Sequence, residues 1–191
     1  MNADQARRVA MAFADAPRSS ADPSIAHAYA DLSEQACRWF DRLTGPRGRR
    51  PVRVVYTRCA EPYVSAVELA ESVRHHRVLE LWPVAYDRDR RPPLLDSRIG
   101  GPYDRFRAVH DILSHGWLQL GFDRDGEYSA WLAEDRLYRG AARKALATEL
   151  HGEHSVRWTS GDLADHKAVL LDERLIEASR RNRPPAGHER R

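Results

Sequence analysis

Residues 103–120, YDRFRAVHDILSHGWLQL, constrain this chain more than any other stretch. Phe106, Val109, Leu113, Gly116, Trp117 and Leu120 recur at helical spacing and form one apolar stripe, with a start signal at Pro102 to Asp104. The rest of the chain is best read as what surrounds that helix. His110 lies inside the stripe. At roughly 100° per residue Asp111 projects on its flank and His115 about 40° further on, so an imidazole, a carboxylate and a second imidazole run along one shoulder. That arrangement suits a cation. Asp111 and His115 can chelate one ion from one helix face, whereas His110 and His115 stand roughly 140° apart and share an ion only if the helix distorts near Gly116. A lone histidine in a core stripe is ordinarily a hydrogen-bonded core residue; three polar groups together raise the case for a metal.

Residues 3–16 are alanine-rich with Val9, Met11 and Phe13, a short helix that Pro17 to Pro23 breaks into a linker. Over 24–43 the spacing of Ile25, Tyr29, Leu32, Ala36, Trp39, Phe40 and Leu43 gives a long amphipathic helix, ended by Gly45 and Pro46. PVRVVYT at 51–57 reads as a strand, 63–76 as a helix and 77–86 as a second strand. Such a unit is most naturally parallel, with a right-handed crossover, and needs helices to cover it. The polar loop 87–93 leads back to the opening helix, and His75 and His76 are explained by their place at a negative helix end.

Beyond Gly121, Asp123 and Asp125 cap a helix over 127–138. A calcium loop is excluded there, because counting from Asp123 the glycine falls fourth where the sixth position must turn. Residues 141–150 form a strong helix interrupted by Gly152, with Glu149, His151, Glu153 and His154 close together at its end. A last amphipathic helix is expected over 162–176, followed by an arginine- and proline-rich end that reads as disordered. Five of the nine histidines, His110, His115, His151, His154 and His166, fall between the opening helix and the last one, a clustering that favours a metal site.

Composition narrows the classes. With 191 residues, 42% of them hydrophobic, the chain supports one domain with a real core. The division expected is 1–22 for an N-terminal helix and linker, 23–178 for one globular domain and 179–191 for the basic tail. The net charge of +3 comes from 31 basic residues among 28 acidic ones, so most of the surface is mixed and nucleic-acid binding is not implied. Cys37 and Cys59 have no CxxC partner and read as the free thiols of a cytoplasmic protein. No apolar run approaches the ~20 residues of a membrane span.

FRAVHDILSH, GEYSAW, ATELHGEHS and ADHKAVLL, in this order and spacing, resemble an uncharacterised family of tailed bacteriophages and actinobacteria whose members read FRAVHDxxGH, GExxAW, TExRGQNS and DQK followed by leucines. The likeness covers most of the chain, including the helix around Gln35, and brings no activity with it. It implies that His110, Asp111, His115, Glu127, Trp131, Thr148, Glu149, Gly152, Ser155 and Lys167 are motif positions. The chain departs from that pattern at Ser114, at His151, at Glu153 with His154, and at His166. The departures lower those three histidines as ligands or mark a diverged substrate pocket.

The expectation is a mainly helical α+β domain with a two- or three-stranded sheet, its helices packed around a buried polar site. In the first reading it is a metal-dependent enzyme: His110, His115, Glu149 and Asp111 hold a divalent ion, and Glu127 or Asp111 supports or catalyses. Lys167, Arg107, Ser155, His151 and His154 face a small polar or anionic substrate. The N/O ligand set without thiolate suits iron first, with zinc or manganese as alternatives, and non-haem iron oxidation is slightly preferred to hydrolysis. A likeness to HD-domain phosphohydrolases stops at the adjacent His110 and Asp111. The second reading is a non-catalytic domain that binds protein or nucleic acid through Arg47 to Arg53, the polar cluster then being a structural network. No interleaving of aromatic and basic residues of the single-strand-binding kind supports it.

Overall fold

The computed structural model describes residues 1–17, 22–87, 92–161, 164 and 166–182, which form a mainly helical α+β fold with one small parallel sheet. Helix α1, Ala3–Asp15, is capped by the Asn2 side chain, which accepts from the Asp4 amide. Asp22 does the same for Ser24 at the start of α2, Pro23–Thr44, whose stripe of Ile25, Ala28, Tyr29, Leu32 and Ala36 is buried. Strands β1, Arg53–Tyr56, and β2, Val78–Leu81, pair in parallel, Arg53 opposite Val78 through Tyr56 opposite Leu81. Between them runs α3, Ala66–Glu71, continued by a π turn, Ser72–His76, and stopped by Arg77 in the left-handed region at φ 57°. The second strand ends earlier than expected because Pro83 offers no amide for pairing, and a 3₁₀ turn, Val84–Tyr86, follows.

The opening helix is α4, Pro102–His110, which passes into a π turn over Asp111–Trp117. After it come α5, Arg124–Glu134, then α6, Ala142–Leu146, and α7, Glu153–Ser160, joined by a third π turn, Ala147–Gly152. The last is α8, Glu173–Arg181, capped by Asp172. Two buried apolar clusters meet along α4. Tyr103 and Phe106 belong to the larger, with Phe13, Tyr29, Leu32, Trp131 and Leu146. Ala108, Val109 and Ile112 belong to the smaller, with Leu69, Val73, Leu79 and Leu81 under the sheet. Of the stripe read from the sequence, Phe106, Val109 and Leu113 are covered by these clusters, whereas Trp117 is not in the core and is 38% exposed.

Several expectations change. The first helix is not set apart from the domain: Val9 and Phe13 are buried in the larger cluster. Gly152 does not interrupt its helix, which continues through the π turn; a Cβ there would lie 2.8 Å from the Phe13 ring. Residues 166–172 are not helical. They run through the core as Ala168, Val169 and Leu171, and the helix waits for the Asp172 cap; Asp162, Leu163 and Asp165, also counted in that expected helix, lie outside the described residues. Of the expected disordered tail, Ser179 is buried and α8 runs to Arg181, while 183–191 lie outside the described residues.

Candidate metal centre

In an α-helix His110 and His115 diverge, but the π turn pairs residues five apart and brings one above the other. Their Nε2 atoms stand 3.0 Å apart. Gly116 makes this possible, since the turn presses on α3's continuation and a Cβ at Gly116 would lie 2.7 Å from Val73 Cγ1. Glu127 enters from the first turn of α5, its Oε2 3.4 Å from His110 Nε2 and its Oε1 3.6 Å from His115 Nε2. His154 from α7 brings Nδ1 to 3.4 Å from Glu127 Oε2. The ring of Phe122 stands edge-on to His115 at 4.7 Å.

The outer ring nitrogens decide what the inner ones present. His115 Nδ1 lies 2.8 Å from the Leu120 carbonyl oxygen, which only accepts, so Nδ1 carries the hydrogen. His110 Nδ1 lies 2.7 Å from Glu134 Oε1, a carboxylate oxygen that also accepts from Ser114 Oγ at 2.6 Å. Both rings, when neutral, therefore turn an Nε2 lone pair inward. Together with a Glu127 oxygen these atoms lie within 4.8 Å of one another in a buried spot, an arrangement that could hold a metal ion. Glu127 Oε2 and His154 Nδ1 are buried without a hydrogen-bond partner among the described residues.

The electrostatics are polarised. Burial by itself lowers His110, but the Glu134 and Glu127 carboxylates outweigh it and hold the imidazole well above its usual range. Burial raises Glu127, yet His154, His110 and His115 bring it well below the ordinary carboxylate value. Burial takes His154 down to about 4.

A second group, Glu149, Glu153 and His166, could also hold an ion. Burial and the charge of Glu153 push Glu149 up to about 8. The Tyr29 hydroxyl lies 2.7 Å from Glu149 Oε1 and 3.0 Å from the Lys167 carbonyl oxygen. One hydroxyl hydrogen cannot serve both acceptors, and a proton on Glu149 completes the pair. His166 Nδ1 lies 2.7 Å from Glu153 Oε1. A cavity of about 230 Å³ is lined by Glu153 and His166 of the second group, with Tyr103, Arg107 and Arg157, and reaches toward the first group through His154. A larger surface cavity, about 1080 Å³, lies elsewhere and includes neither histidine–carboxylate group.

Of the residues expected at a site, His110, His115 and Glu127 are brought together, with His154 beside them. The carboxylate that joins the two histidines is Glu127; Glu149 belongs to the second group. Asp111 belongs to neither: it is half-buried near Tyr63, whose hydroxyl is raised by burial and, to a smaller degree, by the Asp111 charge. Arg107 lines the cavity and donates to the Trp82 carbonyl at 2.9 Å. Lys167 is not a substrate residue. Its ammonium donates to the carbonyls of Phe13, Ala14 and Ala16 at 2.8–3.1 Å, which ties down the end of α1 and uses its three hydrogens. His151 stacks on Trp131 at 4.3 Å and meets Ser179 Oγ at 2.9 Å, and burial lowers it to about 3. Ser155 is fully buried and does not line the cavity. The sequence reading missed Glu134, although its place seven residues after Glu127 puts both on one side of α5. Comparison with family models, curated proteins and solved structures finds no match to this chain.

Proposed function

We propose that His110, His115 and Glu127 hold one divalent metal ion and that the chain is a metal-dependent enzyme acting on a small anionic molecule in the adjoining cavity. The observation that carries this reading is the convergence of two inward Nε2 atoms and a carboxylate on one buried point, each imidazole anchored from behind by an acceptor. A lone proton between the two Nε2 atoms is the competing arrangement. It would leave the buried Glu127 Oε2 without a hydrogen-bond partner, which a cation at the centre avoids.

Iron is favoured over zinc and manganese because two histidines and one carboxylate leave positions open, and a ferrous ion in that set supplies redox chemistry there. Arg107 and Arg157 would bind and orient an anionic substrate in the cavity. His154 reaches from the cavity wall to Glu127 and is the group placed to move a proton between the substrate and the centre. Phe122 and the burial of His115 keep bulk water away from the ligands.

The test is elemental analysis of protein purified without chelator or nickel resin, followed by oxygen-uptake measurements. We expect about one equivalent of iron, lost in folded His110→Ala and Glu127→Ala variants. Zinc at the same stoichiometry would turn the reading to hydrolysis. Metal-free protein whose melting temperature ignores both chelator and added ions would return the cluster to a structural hydrogen-bond network.

A further inference from the structure

A second, larger cavity belongs to none of this. It is about 1080 Å³ and is lined by Arg42, Arg49, Arg50, Arg74, His75, Arg77 and Trp117. Arg42 comes from the end of α2, Arg49 and Arg50 from the loop before β1, Arg74 and Arg77 from the end of α3's continuation. Trp117 comes from the π turn after α4 and is 38% exposed. None of the five guanidinium groups makes an ion pair among the described residues, and the cavity wall carries no carboxylate. Asp41, next to Arg42, faces Arg105 at 3.8 Å instead.

Five like charges gathered with no counter-charge among the described residues repel one another, so the arrangement costs stability unless an anion joins it. Its composition says which anion. All five are arginines rather than lysines, and their planar forks favour acceptors that take two hydrogen bonds at once, such as phosphate. The partly exposed indole of Trp117 stands among them. Arg42 lies over the Trp39 ring at 5.1 Å, which holds one guanidinium in place. Beyond Arg77 the surface continues into a second cavity of about 510 Å³ that adds Arg53 and Tyr56. The basic stripe thus extends past the size of a single phosphate, and its aromatic groups lie along it.

We infer that this groove binds single-stranded nucleic acid, the arginines neutralising successive backbone phosphates and Trp117 stacking on a base. No one stretch of sequence interleaves these residue types; the fold assembles them. The contact of Gly116 with Val73 is what sets Trp117 beside Arg74, so one turn sends His115 into the core and the indole out to the groove.

The test uses the full chain and fluorescein-labelled fifteen-residue oligo(dT) and oligo(U), read by anisotropy between 50 and 200 mM salt. With about five phosphate contacts the log–log salt slope should be roughly −3.5, about a hundredfold loss of affinity over that range. Arg50→Glu with Arg74→Glu should weaken binding more than tenfold. Arg7→Glu with Arg8→Glu, the same charge change on exposed residues of α1, should shift it less than threefold. Trp117→Ala should cost about tenfold and remove most of the tryptophan quenching that binding produces. Circular dichroism confirms that each variant is folded. Absence of binding at 50 mM salt, an unaffected Arg50/Arg74 variant, or equal affinity for polyglutamate or duplex DNA overturns the inference. The polyglutamate result would assign the groove to acidic proteins.

Discussion

Glu134 shows how much of a buried centre rests on groups that touch no ion. Its carboxylate accepts from His110 Nδ1 and from Ser114 Oγ, so it fixes both the tautomer and the angle of the ring. Removing such an anchor typically weakens metal affinity tenfold to a hundredfold. Glu134→Gln should therefore keep the fold, since the amide oxygen still accepts, and lower the affinity for added divalent metal within that range in a competition titration against a chromophoric chelator. Unchanged affinity would remove Glu134 from the centre. Lys167 behaves in the opposite way. Lys167→Met strips three carbonyls at the end of α1 of their donor and should cost about 1–3 kcal/mol in urea unfolding with metal stoichiometry intact. The residue types at the centre were legible in the sequence. The partner of each was not, because Lys167 in a motif looks the same whether it meets a substrate or a helix end 151 residues away.

The elements that matter most are the π turns, and no residue preference announces them. Helical spacing marked α2 closely and the strand–helix–strand order foretold a parallel pair, because apolar periodicity reports which side is covered. An extra residue in a turn leaves that periodicity almost intact. At Asp111–Trp117 the only hint was geometric, in that His110 and His115 could share an ion only if the helix distorted near Gly116, and it does. Residues 166–172 misled for a related reason: an apolar run through a core carries the same composition as a buried helix. The second and third π turns are each closely packed at a glycine. Gly116→Ala would push a methyl group against Val73 and should destabilise by about 1–3 kcal/mol. It should also loosen metal binding by re-spacing the two histidines. Gly152→Ala, pressed instead against Phe13, should carry a similar stability cost with the metal content of the His110 centre kept. Comparing metal-to-protein ratios of the two variants at equal folded fraction separates packing from ligation.

At the scale of the molecule, four buried groups among the described residues pull in opposite directions, and their sum contributes to where the fold is most stable. His151 and His154 are lowered to about 3 and about 4, so the folded chain keeps them neutral. Their contribution is complete above the unfolded value of 6.5 and is lost as pH falls toward those figures. Glu149 is raised to about 8, so the folded chain keeps its proton; that contribution is complete below 4.5 and is lost as pH rises toward 8. His110, held well above 6.5, likewise contributes below 6.5 and loses that contribution at higher pH. Between 4.5 and 6.5 two histidines oppose one glutamate and stability should rise with pH; above 6.5 only the falling contributions remain. Chelator-treated protein should therefore be most stable near pH 6.5, with each group adding a slope of up to about 1.4 kcal/mol per pH unit within its own window. Urea unfolding from pH 4 to 9 measures this dome. Glu149→Gln should flatten its alkaline side and His151→Gln its acid side, since each replaces a group that changes charge with one that cannot. A dome whose alkaline limb is the same in Glu149→Gln would mean that Glu149 is ionised in the folded chain, and the hydrogen-bond order through Tyr29 to the Lys167 carbonyl would have to run the other way.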